Sequence, residues 1–174
     1  MGDFIIGLLC TWALSPRSFQ KEMKLRFGNR RVLKYDIPPP PANRLEVFFE
    51  NQQKVEIPLD EIRPLINPGC HTCLDMTSEF ADVSVGAAEG FPGWNTVILR
   101  SKKGKILFDK LVGKGVIEAK PLPKKNIQHL SEASAMKKKR ALNAINQGKN
   151  TLHALSLPKE VHQTILNFQP PEIP

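Results

Sequence analysis

The segment Asp3 to Cys10, DFIIGLLC, limits this chain more than any other stretch of it. A short unbroken apolar run that ends at a polar turn has no wet face. It reads as a buried strand, of the kind found inside parallel or mixed sheets rather than at a solvated surface. Such a strand needs neighbours on both sides. A chain that opens on one therefore calls for a neighbour from another polypeptide, or from the preceding half of something longer. The run from Phe4 to Leu9 is also far short of the roughly 20 residues a membrane-spanning helix requires. With no basic leader or small-residue cleavage site ahead of it, the expected location is the cytoplasm, with no membrane span.

Downstream, the pattern alternates between helix and strand. Ser15 and Pro16 suit the start of a helix, and Phe19, Met23 and Phe27 form one apolar stripe that Gly28 ends. Arg31 to Ile37 alternates as a strand does. Pro38 to Pro41 then forces an extended turn. Arg44–Phe49 and Lys54–Ile57 read as hairpin arms around Glu50-Asn51-Gln52. Leu59 to Ile66 reads as a short helix. Gly69 to Gly93 is a long irregular stretch, and Trp94 to Arg100 a second buried strand. Ser101 to Leu111 passes through a turn at Gly104 into a helix, and Val116 to Ala119 makes a last strand. From Pro121 onward lysines rise and two helices are expected, Ser131–Ile145 with Ser131 as cap, and Thr151–Phe168 interrupted at Pro158. The fold class is mixed α/β, a mixed sheet with flanking helices. The expected division is residues 1–120 as the body and 121–174 as a mostly helical C-terminal extension.

With 41% apolar and 24% charged residues, the 174-residue chain can build a real core. The net charge of +8 sits in clusters such as Lys137-Lys138-Lys139-Arg140, which read first as solvated faces. No RNP-type or zinc-finger pattern accompanies them, which argues against nucleic acid.

Chemistry concentrates at Cys70-His71-Thr72-Cys73. Two intervening residues let both sulfurs face one metal, and Pro68-Gly69 lets backbone N–H groups approach them. In a reducing compartment a close cysteine pair is a metal or redox site rather than a structural disulfide. By itself the motif fits half a zinc site, a redox dithiol or a cluster ligand pair. A second CxxC is missing, so a four-cysteine zinc ribbon within the chain is excluded. The segment before the motif reads as a helix, which fits a thioredoxin motif badly. His71, between the two cysteines, is expected to point away. Cys10 ends the first strand, where α/β folds place their sites. Alone it would be an inert thiol, but beside a CxxC it becomes a candidate third ligand. Asp75, Glu79 and Asp82 form either an acidic wall or a set of caps and lysine partners. Trp12 and Trp94 read as core or interface aromatics.

The segments GCHTCLDMTSEFADVSVG and GWNTVILRSKKGKILFD, with IIGLLC, YDIPPP and VEIPLDEIRPLINPGC, resemble the C-terminal domain of the coenzyme F420 hydrogenase/dehydrogenase beta subunit family over about residues 4–120. The resemblance implies an iron–sulfur flavoprotein component that passes electrons between a 4Fe-4S cluster and FAD or a deazaflavin such as coenzyme F420. It matches Cys10, Cys70 and Cys73 to cluster ligands, and sets Thr77, Glu79, Asp82, Ser84 and Gly86 in the segment near the flavin. It also implies a protein partner that supplies a missing N-terminal half and a further cluster ligand, together with other redox subunits. Alone, the chain would be an incomplete enzyme. The competing reading is a non-catalytic assembly module clipped by zinc through Cys10, Cys70, Cys73 and a histidine.

Overall fold

The computed structural model describes residues 3–38, 42–147 and 158–171. In chain order the elements are β1 (Ile6–Leu8), α1 (Pro16–Phe27), β2 (Val32–Asp36), β3 (Arg44–Phe49), β4 (Lys54–Pro58), α2 (Leu59–Ile62), β5 (Val83–Ala87), β6 (Asn95–Leu99), α3 (Lys102–Gly113), α4 (Lys124–Asn146) and α5 (Lys159–Asn167), with 3-10 turns at Arg63–Leu65 and Pro68–His71. The strands form two three-stranded sheets, β1-β5-β6 and β2-β3-β4. The mixed α/β class expected from the sequence is what the chain adopts. Two compact units result, one made of Met1–Thr11 with His71–Pro174, the other of Trp12–Cys70. The helices after residue 120 thus fall in the same unit as the β1-β5-β6 sheet. Among the described residues no helix is long and apolar enough to cross a membrane.

The Trp12–Cys70 unit is an antiparallel meander backed by α1. Leu45, Val47 and Phe49 alternate along β3 and bury one face against Met23, Ile57, Leu59 and Ile62. Fully burying such side chains stabilises by roughly 1.5–3 kcal/mol each. Phe27 meets Phe49 edge-on at 5.1 Å. The Arg30 guanidinium lies over the Phe49 ring, 3.7 Å from its centroid. Helix α1 starts at Pro16, as expected, although Ser15 makes no side-chain cap bond. The helix expected through Ile66 keeps α-form only to Ile62, because Pro64 removes a donor and the chain tightens to 3-10. Of the expected proline turn, residues 39–41 lie outside the described residues.

In the other unit β1 pairs parallel with β5, and β5 antiparallel with β6. The expected buried strand at Asp3–Cys10 is a strand only at Ile6–Leu8, and its apolar side chains are exposed. It is an edge strand, bonded to β5 on one side. Its residues are apolar, but burial needs a covering layer that the described residues do not supply. The stretch Gly69–Gly93, expected to be irregular, contains β5. The strand expected at Val116–Ala119 is absent, since Gly115 at φ 66° turns the chain away from extended pairing.

Gly104 is no turn. It lies in the first helical turn of α3, where a Cβ would stand 2.4 Å from the Asp82 main-chain oxygen, so only glycine lets the helix pack this closely on β5. Ser101 caps that helix through the Gly104 N–H. Helix α4 begins seven residues before Ser131, whose hydroxyl donates back to the Ile127 carbonyl instead of capping. For the last expected helix, residues 151–157 lie outside the described set, and Pro158 stands at the N-cap of α5.

Candidate functional site around the strand-end cysteine

The three cysteines are free thiols, with Cys10 exposed and Cys70 and Cys73 half-buried. Cys10 lies just past the end of β1. Leu9 N–H still donates to the Val85 carbonyl, and Cys10 N–H donates at 2.8 Å to the carbonyl of Met76. This ties the strand end directly to the segment after Cys73. The Cys73 thiol donates to the Asp75 carbonyl at 3.4 Å. The Asp75 carboxylate in turn accepts from the Thr77 and Glu79 amides, closing the turn as a capping side chain does.

Within the Trp12–Cys70 unit, the Cys70 sulfur accepts the Ala13 N–H at 3.3 Å. Its own amide donates to the Asn67 carbonyl, and the Asn67 side chain also accepts the Gly69 N–H. Amide donors on a cysteine sulfur stabilise its negatively charged form and tune any metal it binds. His71 is exposed.

One lysine of the basic run, expected to be solvated, is buried instead. Lys137, 3% exposed on α4, donates at 2.7 Å to the Cys10 carbonyl and at 2.7 Å to the Asp75 carbonyl. Of its neighbours, Lys138 is half-buried and paired to Glu79 at 2.5 Å, and Arg140 is exposed and donates to the Thr11 carbonyl at 3.2 Å. The signal that could have found it is helical spacing: Lys137 sits four residues before Ala141 and seven before Ala144, both buried, on the inward stripe of α4.

The residues expected near a flavin are spread over different tasks. Glu79 is exposed and paired as described. Asp82 is buried and accepts from Ser101 Oγ at 2.5 Å, the Ile5 N–H at 2.9 Å and Lys103 Nζ at 2.9 Å. These partners, Ser101 first, hold its carboxyl down at about 2, below an ordinary value of 3.8. Ser84 is fully buried between Arg100 Nε and the Ser78 carbonyl. Gly86 lies under Leu9, whose side chain would be 2.5 Å from a Cβ. Thr77 accepts Arg100 Nη2 at its hydroxyl, 2.7 Å, and at its carbonyl, 3.0 Å. Of the five, it is Thr77 that lines a cleft of about 750 Å³. That cleft runs beside β6, α4 and α5, its walls mostly apolar (Ile98, Leu130, Ile165), with Arg100 and Lys138 among its few charged groups. A mostly apolar cleft with a few fixed polar groups suits a bound organic ligand. A second, smaller cavity of about 160 Å³ is lined by Cys10, Met76 and His129. There His129 Nδ1 pairs with Glu89 at 2.6 Å.

Among the described residues no three His, Cys, Asp or Glu side chains are grouped to hold a metal ion. The donor chemistry is nonetheless of one kind: free thiols, one of them already receiving an amide N–H. Sulfur donors of this type fit iron–sulfur ligation.

A mixed β1-β5-β6 sheet, with a cysteine just past the end of β1 and a CxxC upstream of β5, forms a small α/β module. The chain matches, over residues 2–125, the family described as the C terminus of the coenzyme F420 hydrogenase/dehydrogenase beta subunit, and it belongs to that family. It is 37% identical to the coenzyme F420 hydrogenase subunit beta of Methanothermobacter thermautotrophicus over 79% of its own length and 49% of the relative's. It is 31% identical to the protein of the same name from Methanosarcina barkeri, over 68% of this chain and 40% of that one. A chain of the F420-reducing NiFe hydrogenase complex from Methanosarcina barkeri superposes with a TM-score of 0.72 at 29% identity, covering 83% of this chain and 50% of that chain. The protein therefore spans about half the length of these relatives, or less.

Proposed function

We propose that the chain acts as an electron-transfer component of an F420-linked oxidoreductase, with Cys10, Cys70 and Cys73 supplying thiolates to a 4Fe-4S cluster. The observation that carries this reading is the bonded contact between the strand end at Cys10 and the turn after Cys73, through Met76 and Lys137. Two cysteines far apart in sequence are held on adjoining backbone. In this reading Cys70 is the further thiolate of the CxxC. Such a cluster, when bound, exchanges single electrons. The chain's own part is to hold sulfurs and donate amides to them. The remaining ligand and the rest of the electron path come from other protein segments or redox subunits. The exposed apolar edge at β1 supports such a neighbour, because unpaired strand edges are normally covered or charged. In this reading FAD or a deazaflavin binds in the cleft at Thr77 and Arg100, because its ring suits apolar walls and its phosphates suit a cation.

The test is anaerobic loading of the full chain with ferrous iron and sulfide, followed by metal and sulfide analysis. Bound iron and sulfide with broad absorbance near roughly 400 nm support the reading. Both should be lost in Cys10→Ser and Cys73→Ser. A chain that binds zinc, stays colourless and takes no sulfide sinks it in favour of the zinc-clipped assembly module.

A further inference from the structure

Lys137 lies beyond the family match, which ends at residue 125, on a lysine-rich helix. Lysine is among the side chains least often fully buried, because its ammonium gives up strong hydration. Here it is 3% exposed, and its two acceptors are main-chain carbonyls, those of Cys10 and Asp75. Neither acceptor is a carboxylate, so neither bond neutralises the charge. The acidic side chains of the adjoining turn are otherwise engaged, Asp75 with the Thr77 and Glu79 amides and Glu79 with Lys138. A methionine would fill a similar volume without the desolvation cost. A cation in this position does two things that an apolar side chain cannot. It cross-links the cysteine-bearing strand end to the turn after Cys73, and it fixes a positive charge against the main chain of Cys10 itself.

We infer that Lys137 is a positioning residue for the thiolate site, clamping Cys10 to the Cys73–Asp75 turn and favouring the more negative, reduced state of a centre bound there. This rests on the iron–sulfur reading above, but its clamp component is measurable without any cluster. The clamp holds the Cys10 N–H on the Met76 carbonyl. In the metal-free full chain, Lys137→Met is expected to raise amide exchange at Cys10 about tenfold while β5–β6 amides stay protected. In the loaded chain, Lys137→Met and Lys137→Gln are expected to shift the midpoint potential negative. Lys137→Arg, which keeps the charge, restores it, and Lys139→Met on the same helix leaves it unchanged.

Glutamine keeps hydrogen-bond donors without charge, so the Gln–Arg pair decides the electrostatic part even if the methionine variant does not fold. Equal potentials in Lys137→Gln, Lys137→Arg and the parent overturn the inference. So does unchanged Cys10 exchange in a folded Lys137→Met. If the parent chain takes up no iron, the reading beneath fails, and Cys10 exchange alone then upholds or overturns the clamp.

Discussion

The two compact units bury different mixtures of side chains. Trp12–Cys70 buries carbon: Leu45, Val47, Ile57 and Ile62 form a dry cluster, and its one deeply placed carboxylate, Glu46, sits at the rim. There Arg44, foremost, and Lys54 hold the Glu46 carboxyl below its ordinary value. The unit built on β1-β5-β6 buries mainly small apolar side chains, such as Ala81, Val83, Ala135, Ala141 and Ala144 with Leu142, and among them the polar groups Thr72, Thr77, Asp82, Ser84, Thr96 and Lys137, while it leaves Ile5, Ile6, Leu8 and Phe80 in solvent. Apolar burial is non-directional and stabilises in proportion to area. A satisfied polar network adds little net stability but fixes geometry, since each group left unpaired is costly. The first unit is organised for stability. The second is organised to hold particular backbone segments, those carrying Cys10 and Cys73, in register.

If that contrast is right, the largest single effect comes from the dry cluster. Ile62→Ala removes a side chain with no exposure and should destabilise the Trp12–Cys70 unit by about 2–5 kcal/mol in denaturant unfolding, with β5–β6 amide protection unchanged. A loss spread equally over both units would break the comparison. Next is Gly104→Ala. The added methyl meets the Asp82 carbonyl, a backbone atom that cannot swing aside, so α3 must shift from β5 at a cost of about 1–3 kcal/mol. A neutral or stabilising Gly104→Ala, as for an ordinary helix position, would show that the packing there is loose.

The same contrast decides how much of the molecule could be read in advance. The meander was legible: Arg44–Phe49 and Lys54–Ile57 alternate, the tip is polar, and local patterning suffices for a hairpin and a helix that share one apolar face. The other sheet was less so. Its β5, VSVGA, is short, small-chained and preceded by acidic turn residues, so it looks like loop until the distant β1 pairs with it, Ile6 against Val83. Gly104 reads as a turn because the reason for a glycine there, the Asp82 carbonyl, lies across the fold. The cysteines were visible from spacing and motif. Lys137 was harder to see, because in sequence it is one of four consecutive basic residues: its spacing to Ala141 and Ala144 sets it on the inward stripe of α4, but its two acceptors are distant carbonyls. Long-range polar bonds leave almost no local mark on composition or period.

A smaller effect, with a distinctive pH signature, belongs to Asp82. Its folded-state carboxyl is held at about 2, beneath the ordinary 3.8, by Ser101, the Ile5 amide and Lys103. A depressed carboxyl contributes stability that is complete above the unfolded value and is lost as pH falls toward the folded one. The contribution should therefore be present at about pH 5 and above, and fade between about pH 4 and pH 2. Asp82→Asn should lower the melting temperature at neutral pH, and its difference from the parent should shrink across that window. A difference that stays constant from about pH 7 down to about pH 2 would mean that the charge of the carboxylate does not contribute, and that its polar bonds alone matter.

The smallest expected change in stability is at the surface that looks most hydrophobic. Ile6 is 63% exposed, Leu8 69% and Phe80 93%. Side chains that remain in water on folding contribute little to it, so Ile6→Thr and Leu8→Thr should alter unfolding free energy by no more than about 0.5 kcal/mol. Their effect should appear in association instead. An apolar edge strand with one unpaired side recruits other backbone. Sedimentation should show the parent chain self-associating with rising concentration, and Ile6→Lys should suppress this at unchanged melting temperature. A large stability loss in Ile6→Thr would mean that β1 is already packed as tightly as β3. The contrast between a strand β3 that buries its apolar face and a strand β1 that leaves its own open would then collapse.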